Sequence, residues 1–423
     1  MNAKTFSVFI AFLAIGGFTL NFNSAQAGIG FRGALSLQNL NSGISPFTYT
    51  LSARHIKKRH HHKSDFPFNN SFNYRLYYNR VDGFLFHFRY GVSKYRTLGS
   101  GIAIKTMLAY GTESKRIQYK FGFERGFFGK NFRFAPGFEV YDQTFSEDEW
   151  IISSGFENSL AAFLLHEDFM DFYRLQGYGG YLKQRFFSAL ELKAGYYEEQ
   201  QSSLLRQTDW ALFGPHKKFR ENPAIQDGSF RGMKGKLILD TRDSRRAPER
   251  GWYLQALAEY FPNDFTSDYH YRRYILDFRR YQPISDGEVL RFRLRLGDSR
   301  GDLPIQKWFN FGGISTLRGY RYKSFRGTRM ALANLEYSLN WDEMDWKPDI
   351  PLLDAFNLIL FADAGSAWER SEKEFSDLTY QDFASDVGIA LTNSDGRIRL
   401  NFAKRTDRGY DAMKITFRLQ QPF

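Results

Sequence analysis

One stretch decides the fold, Leu290-Arg-Phe-Arg-Leu-Arg-Leu296, which alternates strictly between apolar and cationic residues. A period of two places the apolar residues on one face of a β-strand and the arginines on the other. The arginine face must contact water, whereas the apolar face needs lipid or a second apolar layer. This stretch therefore predicts a strand that separates a wet compartment from an apolar one.

The same alternation recurs elsewhere in the chain, at 84–90, 274–279, 397–402 and 414–420. Aromatic residues make up 18% of the 423 residues, although the mean hydropathy is only −0.48. Strands that cross hydrocarbon must pair all their backbone groups and close into a barrel, which aromatic residues girdle at both interfaces. The predicted fold class is all-β, a transmembrane antiparallel β-barrel of about sixteen strands with a loop folded inward.

The N-terminal segment has the features of an export signal. A basic Lys4 precedes the apolar stretch 6–20, and small residues end it at 24–27. This pattern predicts a signal peptide over 1–27 that is cleaved before Gly28, with a transmembrane anchor as the less favoured alternative. A short periplasmic lead-in over 28–68 and a barrel over 69–423 complete the predicted organisation. The absence of cysteine suits an exported protein that does not rely on disulfides.

Strand and turn patterns give a provisional topology. Fifteen candidate strands can be placed between 83 and 421, and a further strand is expected either in 69–80 or inside 145–225. Short polar turns at 285–288 and 393–396 are typical of the periplasmic side of a barrel. Four longer segments are expected to be external loops, namely 145–170, 200–228, 299–328 and 365–381. The first of them contains a candidate helix at 158–166.

Four motifs stand in a fixed order along the chain: Tyr78–Gly83, Leu239–Asp243 with Pro248 and Gly251, Gly312–Tyr320, and Phe361–Trp368. Together they resemble the superfamily of BamA, TamA and FhaC, the outer-membrane assembly and translocation barrels of the outer membrane protein 85 type. The third motif is similar to the family's glycine-rich arginine motif on the sixth external loop. The second and fourth are similar to its strand–turn and strand motifs.

The resemblance implies that the loop folds into the barrel and that Arg318 contacts acidic residues of the inner wall. Spacing alone favours an ordinary solvated arginine, but the family pattern favours a lock between loop and lumen. A guanidinium contacting a carboxylate through two hydrogen bonds would hold the loop in place. The expected lock comprises Gly312, Gly313, Leu317, Arg318, Gly319, Tyr320, Glu336, Phe361, Asp363 and Gly365, and the strand–turn motif comprises Asp240, Arg242, Asp243, Pro248 and Gly251.

The C-terminal strand carries a predicted assembly signal. Phe417 and Leu419 alternate with polar residues, and the chain ends at Phe423. This ending resembles the signal that the outer-membrane assembly machinery reads, so we expect that machinery, periplasmic chaperones and outer-membrane lipid to be partners. Because only a short segment separates Gly28 from the first strand, we expect no POTRA domain, and the client handover of longer relatives is in doubt.

Other signals are weak. The histidines at 60–62 lie in a basic run without acidic or cysteine ligands, so we expect no metal site and no cofactor. The net charge of +12 is better explained by an arginine-lined lumen than by nucleic acid, with part of the charge meeting Asp277, Glu336 and Asp363. The G-x-S-x-G and H-E-x-x-H motifs are absent from the sequence, and we predict that the protein is not an enzyme.

Three functions remain open at the level of sequence. The resemblance favours a barrel of the Gram-negative outer membrane that assists protein insertion, assembly or translocation. The arginine rows leave open a channel or transporter for small anionic solutes. A third alternative is a barrel that anchors a separately encoded periplasmic partner. The client, the solute and the partner are not identifiable from the sequence.

Overall fold

A computed structural model describes residues 69–95, 101–129, 132–152, 154–214, 216–245, 247–344, 356–393, 396, 398–407 and 413–419. The predicted signal peptide, the lead-in over 28–68 with its histidines, and the terminal Phe423 lie outside these residues.

Eighteen strands are found in the described part of the chain, and sixteen of them form one antiparallel sheet in sequence order. This sheet confirms the predicted all-β class and strand number, and it places the uncertain strand at Asn69–Asn79. The strands are β1 Asn69–Asn79, β2 Gly83–Tyr95, β3 Gly101–Gly111, β4 Ile117–Gly126, β5 Phe132–Phe145, β6 Tyr173–Phe186, β7 Leu190–Ser203, β8 Gly228–Asp240, β9 Gly251–Phe261, β10 Tyr271–Ser285, β11 Glu288–Gly301, β12 Phe309–Phe311, β13 Phe325–Gly327, β14 Arg329–Leu339, β15 Asn357–Trp368, β16 Ala384–Thr392, β17 Arg399–Arg405 and β18 Lys414–Arg418.

The alternation that predicted the strands divides the sheet into two faces. On β11, Arg291, Arg293 and Arg295 are buried on the inner face, while Leu294 and its apolar neighbours lie on the other. On β2, the outward Phe86, Phe88 and Tyr90 remain 42–45% exposed. Exposed aromatic residues in a row are expected where a sheet face contacts acyl chains. The sheet therefore presents an apolar outer face and a charged inner face.

Strand connections differ between the two ends of the sheet. Connections such as Asp286–Gly287 and 187–189 are short and lie at one end, whereas the loops 146–172, 204–227 and 302–328 lie at the other. Arg80, in the turn between β1 and β2, donates to the backbone oxygen of Met170 at 2.8 Å and to Asn222 Oδ1 at 2.9 Å. These bonds tie the first turn to two of the long loops.

One α-helix, α1 (Gly155–Leu165), occupies the loop 146–172 and covers most of the stretch for which a helical segment was predicted. Ser154 caps its start by accepting from the backbone N–H of Glu157, and His166 ends it in a left-handed conformation with φ 58°. A search of the described residues for a helix that could cross a membrane finds none.

The long loops fold back against the inner face of the sheet. Lys323, from the loop 302–328, contacts Asp148 at 2.6 Å, and Lys307 of the same loop contacts Glu147. Glu147 also contacts Arg273 of β10 at 3.2 Å. Two short strands, β12 and β13, pair with each other inside the loop 302–328, within the segment 299–328 that the sequence predicted as an external loop. The interior is thus occupied by loop segments linked to the wall by ion pairs.

The apolar outer face predicts that the cost of a charge placed on it depends on the position along the strand. Leu294→Arg places a charge on the apolar face at the middle of β11 and should destabilise the folded protein by about 2–4 kcal/mol. Leu290→Arg makes the same change on the same face near the end of the strand and should cost about 0–1 kcal/mol. Denaturant unfolding in lipid bilayers measures both values. Equal costs for the two variants would contradict the assignment of this face to lipid.

Candidate functional site

The loop 302–328, called the inward loop below, turns sharply at its glycines. Gly312 and Gly313 have φ values of 128° and 72°, which side chains other than hydrogen rarely allow. A Cβ on Gly312 would lie 2.7 Å from the backbone oxygen of Arg321. The turn is closed by Gly313 N–H, which donates to the Leu317 backbone oxygen at 2.8 Å, and by Thr316, whose hydroxyl accepts from Gly312 N–H at 2.9 Å. This geometry projects Arg318 from the tip of the loop.

Arg318 reaches the inner faces of two neighbouring strands. Its Nε and Nη2 atoms donate to the two carboxylate oxygens of Asp363 on β15 at 2.7 and 2.6 Å. Its Nη1 atom donates to Glu336 Oε1 on β14 at 2.6 Å, and its guanidinium carbon lies 3.6 Å from the centre of the Phe361 ring. The structure therefore brings Arg318 into contact with three of the residues expected at the lock, namely Glu336, Phe361 and Asp363.

The charge on Arg318 is held by its partners rather than by water, since the residue is only 1% exposed. Burial opposes the charge, but Asp363 and Glu336 raise the pKa of Arg318 above its ordinary value. A buried guanidinium is tolerated only when its donors are paired in this way. Removing either side of the pair would leave an uncompensated charge in the interior.

Two further residues complete the polar contacts and were not assigned to the lock from the sequence. Arg399 of β17 donates to both oxygens of Glu336, at 2.7 and 3.1 Å. Asn334 of β14 donates to Asp363 Oδ1 and to the backbone oxygen of Thr316, both at 2.8 Å. The alternation of the sequence placed both residues on the inner face. It did not predict that they would contact the carboxylates that bind Arg318, namely Glu336 and Asp363.

Apolar contacts support the same loop. Leu317 is fully buried in a cluster with Phe311, Met330 and Leu332. Tyr320 is buried beside them, and its hydroxyl donates to the backbone oxygen of Ser385 at 3.3 Å. Gly319 and Gly365 permit close approach, because a Cβ on Gly319 would lie 2.8 Å from Asp386 Cβ and one on Gly365 would lie 2.8 Å from the Phe311 ring. The inward loop is thus fixed by both charge and packing.

A second charged cluster lies on the inner face of β10 and β11. Asp277 is fully buried and accepts hydrogen bonds from Arg279 at 2.8 Å, Arg293 at 2.6 Å and Arg295 at 2.7 Å. Trp150 of the loop 146–172 covers this cluster, with its ring centre 4.2 Å from the Arg295 guanidinium carbon. Three guanidinium groups share one carboxylate, so this part of the interior keeps a net positive charge.

The strand–turn motif forms a separate local structure between β8 and β9. Arg242 donates to both oxygens of Asp240 at 2.8 and 3.0 Å, and Asp243 accepts from the backbone N–H groups of Ser244 and Glu249. Pro248 is buried, and Gly251 has a φ of 115° that brings its backbone against Thr241. The motif orders a tight turn at the end of the sheet opposite the inward loop, without contributing to the contacts of Arg318.

The residues of the predicted assembly signal lie at the end of the described chain. Phe417 is 57% exposed on the outer face of β18, and Leu419 follows the strand. Within the described residues, no group of three or more His, Cys, Asp or Glu side chains is arranged to hold a metal ion. The candidate site is therefore a cluster of arginines and carboxylates that positions a loop.

Comparisons with known proteins match this arrangement to a family. The model of the Omp85 superfamily domain matches residues 68–421. The outer membrane protein assembly factor BamA of Nitratidesulfovibrio vulgaris is 26% identical over 202 residues, which are 44% of this chain and 24% of that protein. The chain thus aligns with about a quarter of the length of this curated relative.

Solved structures of similar architecture are more distant. BamA from Haemophilus ducreyi lacking POTRA domains 1–3 matches with a TM-score of 0.49 and 14% identity, covering 82% of this chain and 69% of that one. CdiB from Acinetobacter baumannii matches with a TM-score of 0.37 and 10% identity, covering 84% of this chain and 60% of that one.

The contacts of Arg318 predict a strong effect of its removal. Arg318→Ala leaves Asp363 and Glu336 short of a partner and should destabilise the folded state by about 3–5 kcal/mol, as is typical when one partner of a buried pair is removed. Asp363→Ala should have an effect of similar size. The measurement is heat-modifiability on gels, in which the folded band should convert at a lower temperature, together with the protein level in the membrane.

Arg326→Ala is the matched control, since Arg326 lies in the same loop but is exposed. Its conversion temperature should equal that of the parent protein. If Arg318→Ala and Asp363→Ala both behave like this control, the lock does not exist.

Proposed function

The chain belongs to the Omp85 superfamily, and from this membership we propose that it is an outer-membrane barrel that assists insertion, assembly or translocation of proteins. The proposal places it in the outer membrane of a Gram-negative bacterium, exported through a signal peptide cleaved before Gly28. Its partners are outer-membrane lipid, the assembly machinery and periplasmic chaperones during its own biogenesis, and a client protein.

One observation carries the proposal, namely the two edges of the sheet. Among the residues that the structure describes, β1 pairs only with β2 and β18 pairs only with β17. We call the gap between the free edges of β1 and β18 the seam. An open strand edge presents unpaired N–H and C=O groups that can accept a further strand. An incoming client strand can therefore add to the wall at the seam.

An open edge would leave the C-terminal strands of the sheet mobile, and the inward loop holds them in position. Arg318 joins β14 and β15, and Lys414 of β18 donates to the backbone oxygen of Tyr320 at 2.6 Å. The last strand is thereby tied to the loop as well as to β17. In this proposal the lock holds the C-terminal strands in position while the edge beside them exchanges partners.

A channel for small anionic solutes is the second candidate, because the three arginines around Asp277 leave that part of the interior positive. Trp150 and the inward loop occupy much of that interior, which argues against free passage. Planar-bilayer recording separates the candidates. A large, stable, anion-selective conductance would favour the channel, and co-purification with a periplasmic protein would favour an anchoring role.

Depletion of the protein tests the proposed function directly. A mass-spectrometric census of the outer membrane should show loss of many barrels if the protein assists assembly broadly, or of one protein if it serves a dedicated client. Re-expression of the parent chain should restore the census, whereas Arg318→Ala should restore it only in part because less folded protein is present. An unchanged census after depletion would refute both assembly and translocation.

A further inference from the structure

The exposure of the outward-facing side chains of β1 drops abruptly near the end of the strand. Phe72, Tyr74 and Leu76 face outward and are 67%, 75% and 51% exposed, whereas Tyr78, next on the same face, is only 4% exposed. The cover over Tyr78 comes from helix α1 and the loop 204–227. The Phe163 ring lies 5.9 Å from the Tyr78 ring, and the Tyr78 hydroxyl donates to the Trp210 backbone oxygen at 2.6 Å.

Helix α1 also contacts the free edge of β1. The backbone N–H of Tyr78 points away from β2 and donates to Ser159 Oγ at 3.0 Å. The following loop segment extends this contact, because Asp168 accepts from the backbone N–H of Arg80 at 2.9 Å. Asn158 of the helix in turn donates to Asp168 at 2.8 Å. The helix is therefore attached to the first strand and to the turn that follows it.

The same helix contacts the last strand, where Arg418 lies 261 residues beyond Glu157. Glu157 accepts from Arg418 Nε at 2.6 Å and from Arg418 Nη2 at 3.0 Å. It also accepts from the backbone N–H of Leu419 at 3.0 Å. Glu157 and Arg418 are 7% and 3% exposed, and Arg418 additionally contacts Ser315 of the inward loop.

An α-helix is suited to this position in the wall. Its own backbone groups are paired internally, so it can lie in an apolar layer where an unpaired strand edge would be costly. Phe156 and Leu165 of α1 are 56% and 54% exposed, as expected for side chains in contact with acyl chains. Ser159 and Glu157 supply acceptors that a neighbouring strand would otherwise provide to Tyr78 and Leu419.

We propose that helix α1 is a built-in latch that occupies the seam and competes with client strands for the edge of β1. Glu157 and Ser159 are the contacts that hold it, and Arg418 is its anchor on the last strand. The competition with client strands rests on the proposed function, whereas the attachment of helix α1 to both edge strands does not.

The balance of hydrogen bonds favours displacement of the latch by a suitable strand. The helix satisfies isolated N–H groups of the two edges, whereas an added strand can pair along the length of Asn69–Asn79 as β2 does on the other side. A client strand therefore gains more backbone bonds at β1 than the latch loses. Without a client, the latch lowers the cost of the exposed edges and keeps them from pairing with unrelated chains.

Hydrogen exchange measured by mass spectrometry tests the latch in the full-length protein in lipid nanodiscs. In the double variant Glu157→Ala/Ser159→Ala, peptides that cover 69–79 and 413–419 should exchange roughly tenfold faster or more, because their edge N–H groups lose acceptors. Peptides from β10 and β11 should not change. Heat-modifiability on gels establishes that the variant is folded before exchange is measured.

Glu167→Ala is the matched control, since Glu167 lies just beyond the helix and pairs with Lys217 on the exposed surface. It should exchange like the parent protein at both edges. If the double variant also exchanges like the parent, the latch is refuted. If that variant does not fold, the single variants Ser159→Ala and Glu157→Ala are measured in its place, at 69–79 and at 413–419 respectively, and judged by the same criterion.

A second experiment separates the latch from the client role. The chain contains no cysteine, so Glu157→Cys/Arg418→Cys offers a unique pair for a cleavable bismaleimide cross-linker. The cross-linked protein should fail to restore the outer-membrane census after depletion, and cleavage of the linker should restore it. Normal restoration by the cross-linked protein would refute competition with clients, even where exchange shows that the helix protects the edges.

Discussion

The requirement that every backbone N–H and C=O group find a partner in hydrocarbon shapes this protein. Fourteen of the sixteen strands in the main sheet have a neighbour on both sides, and only β1 and β18 do not within the described residues. These two edges are both contacted by a different kind of element, helix α1, whose backbone needs no neighbour. Polar side chains of the helix then supply acceptors for N–H groups at both edges.

Two buried carboxylates of the inner face each contact more than one guanidinium group. Asp277 forms ion pairs with three arginines, and Glu336 forms ion pairs with both Arg318 and Arg399. Asp277 thereby joins β10 to β11, and Glu336 joins β14 to β17 and to the inward loop. Loss of a carboxylate releases several buried cations at once, whereas loss of one arginine leaves the others in place.

Alternation in the sequence predicted fifteen strands of the main sheet, because a period of two is a local property, but it left β1 at either of two places. It placed β11 at 288–298, close to the observed Glu288–Gly301, but it could not detect β12 and β13, which have only three residues each. The contact of Arg318 with Asp363 was expected only through the family motifs. The contacts of Arg399 and Asn334, and that of Glu157 with Arg418, depend on how the sheet curves, which periodicity does not contain.

The separation of Glu157 and Arg418 by 261 residues has a consequence for the order in which the molecule is built. Helix α1 emerges early in synthesis, but its anchor belongs to the last strand. A partly inserted chain can attach the helix to β1 but not to the last strand, so the helix bridges the two edges only after the C-terminus arrives. The ion pair between Glu157 and Arg418 can therefore form only after all the intervening strands have been added to the sheet.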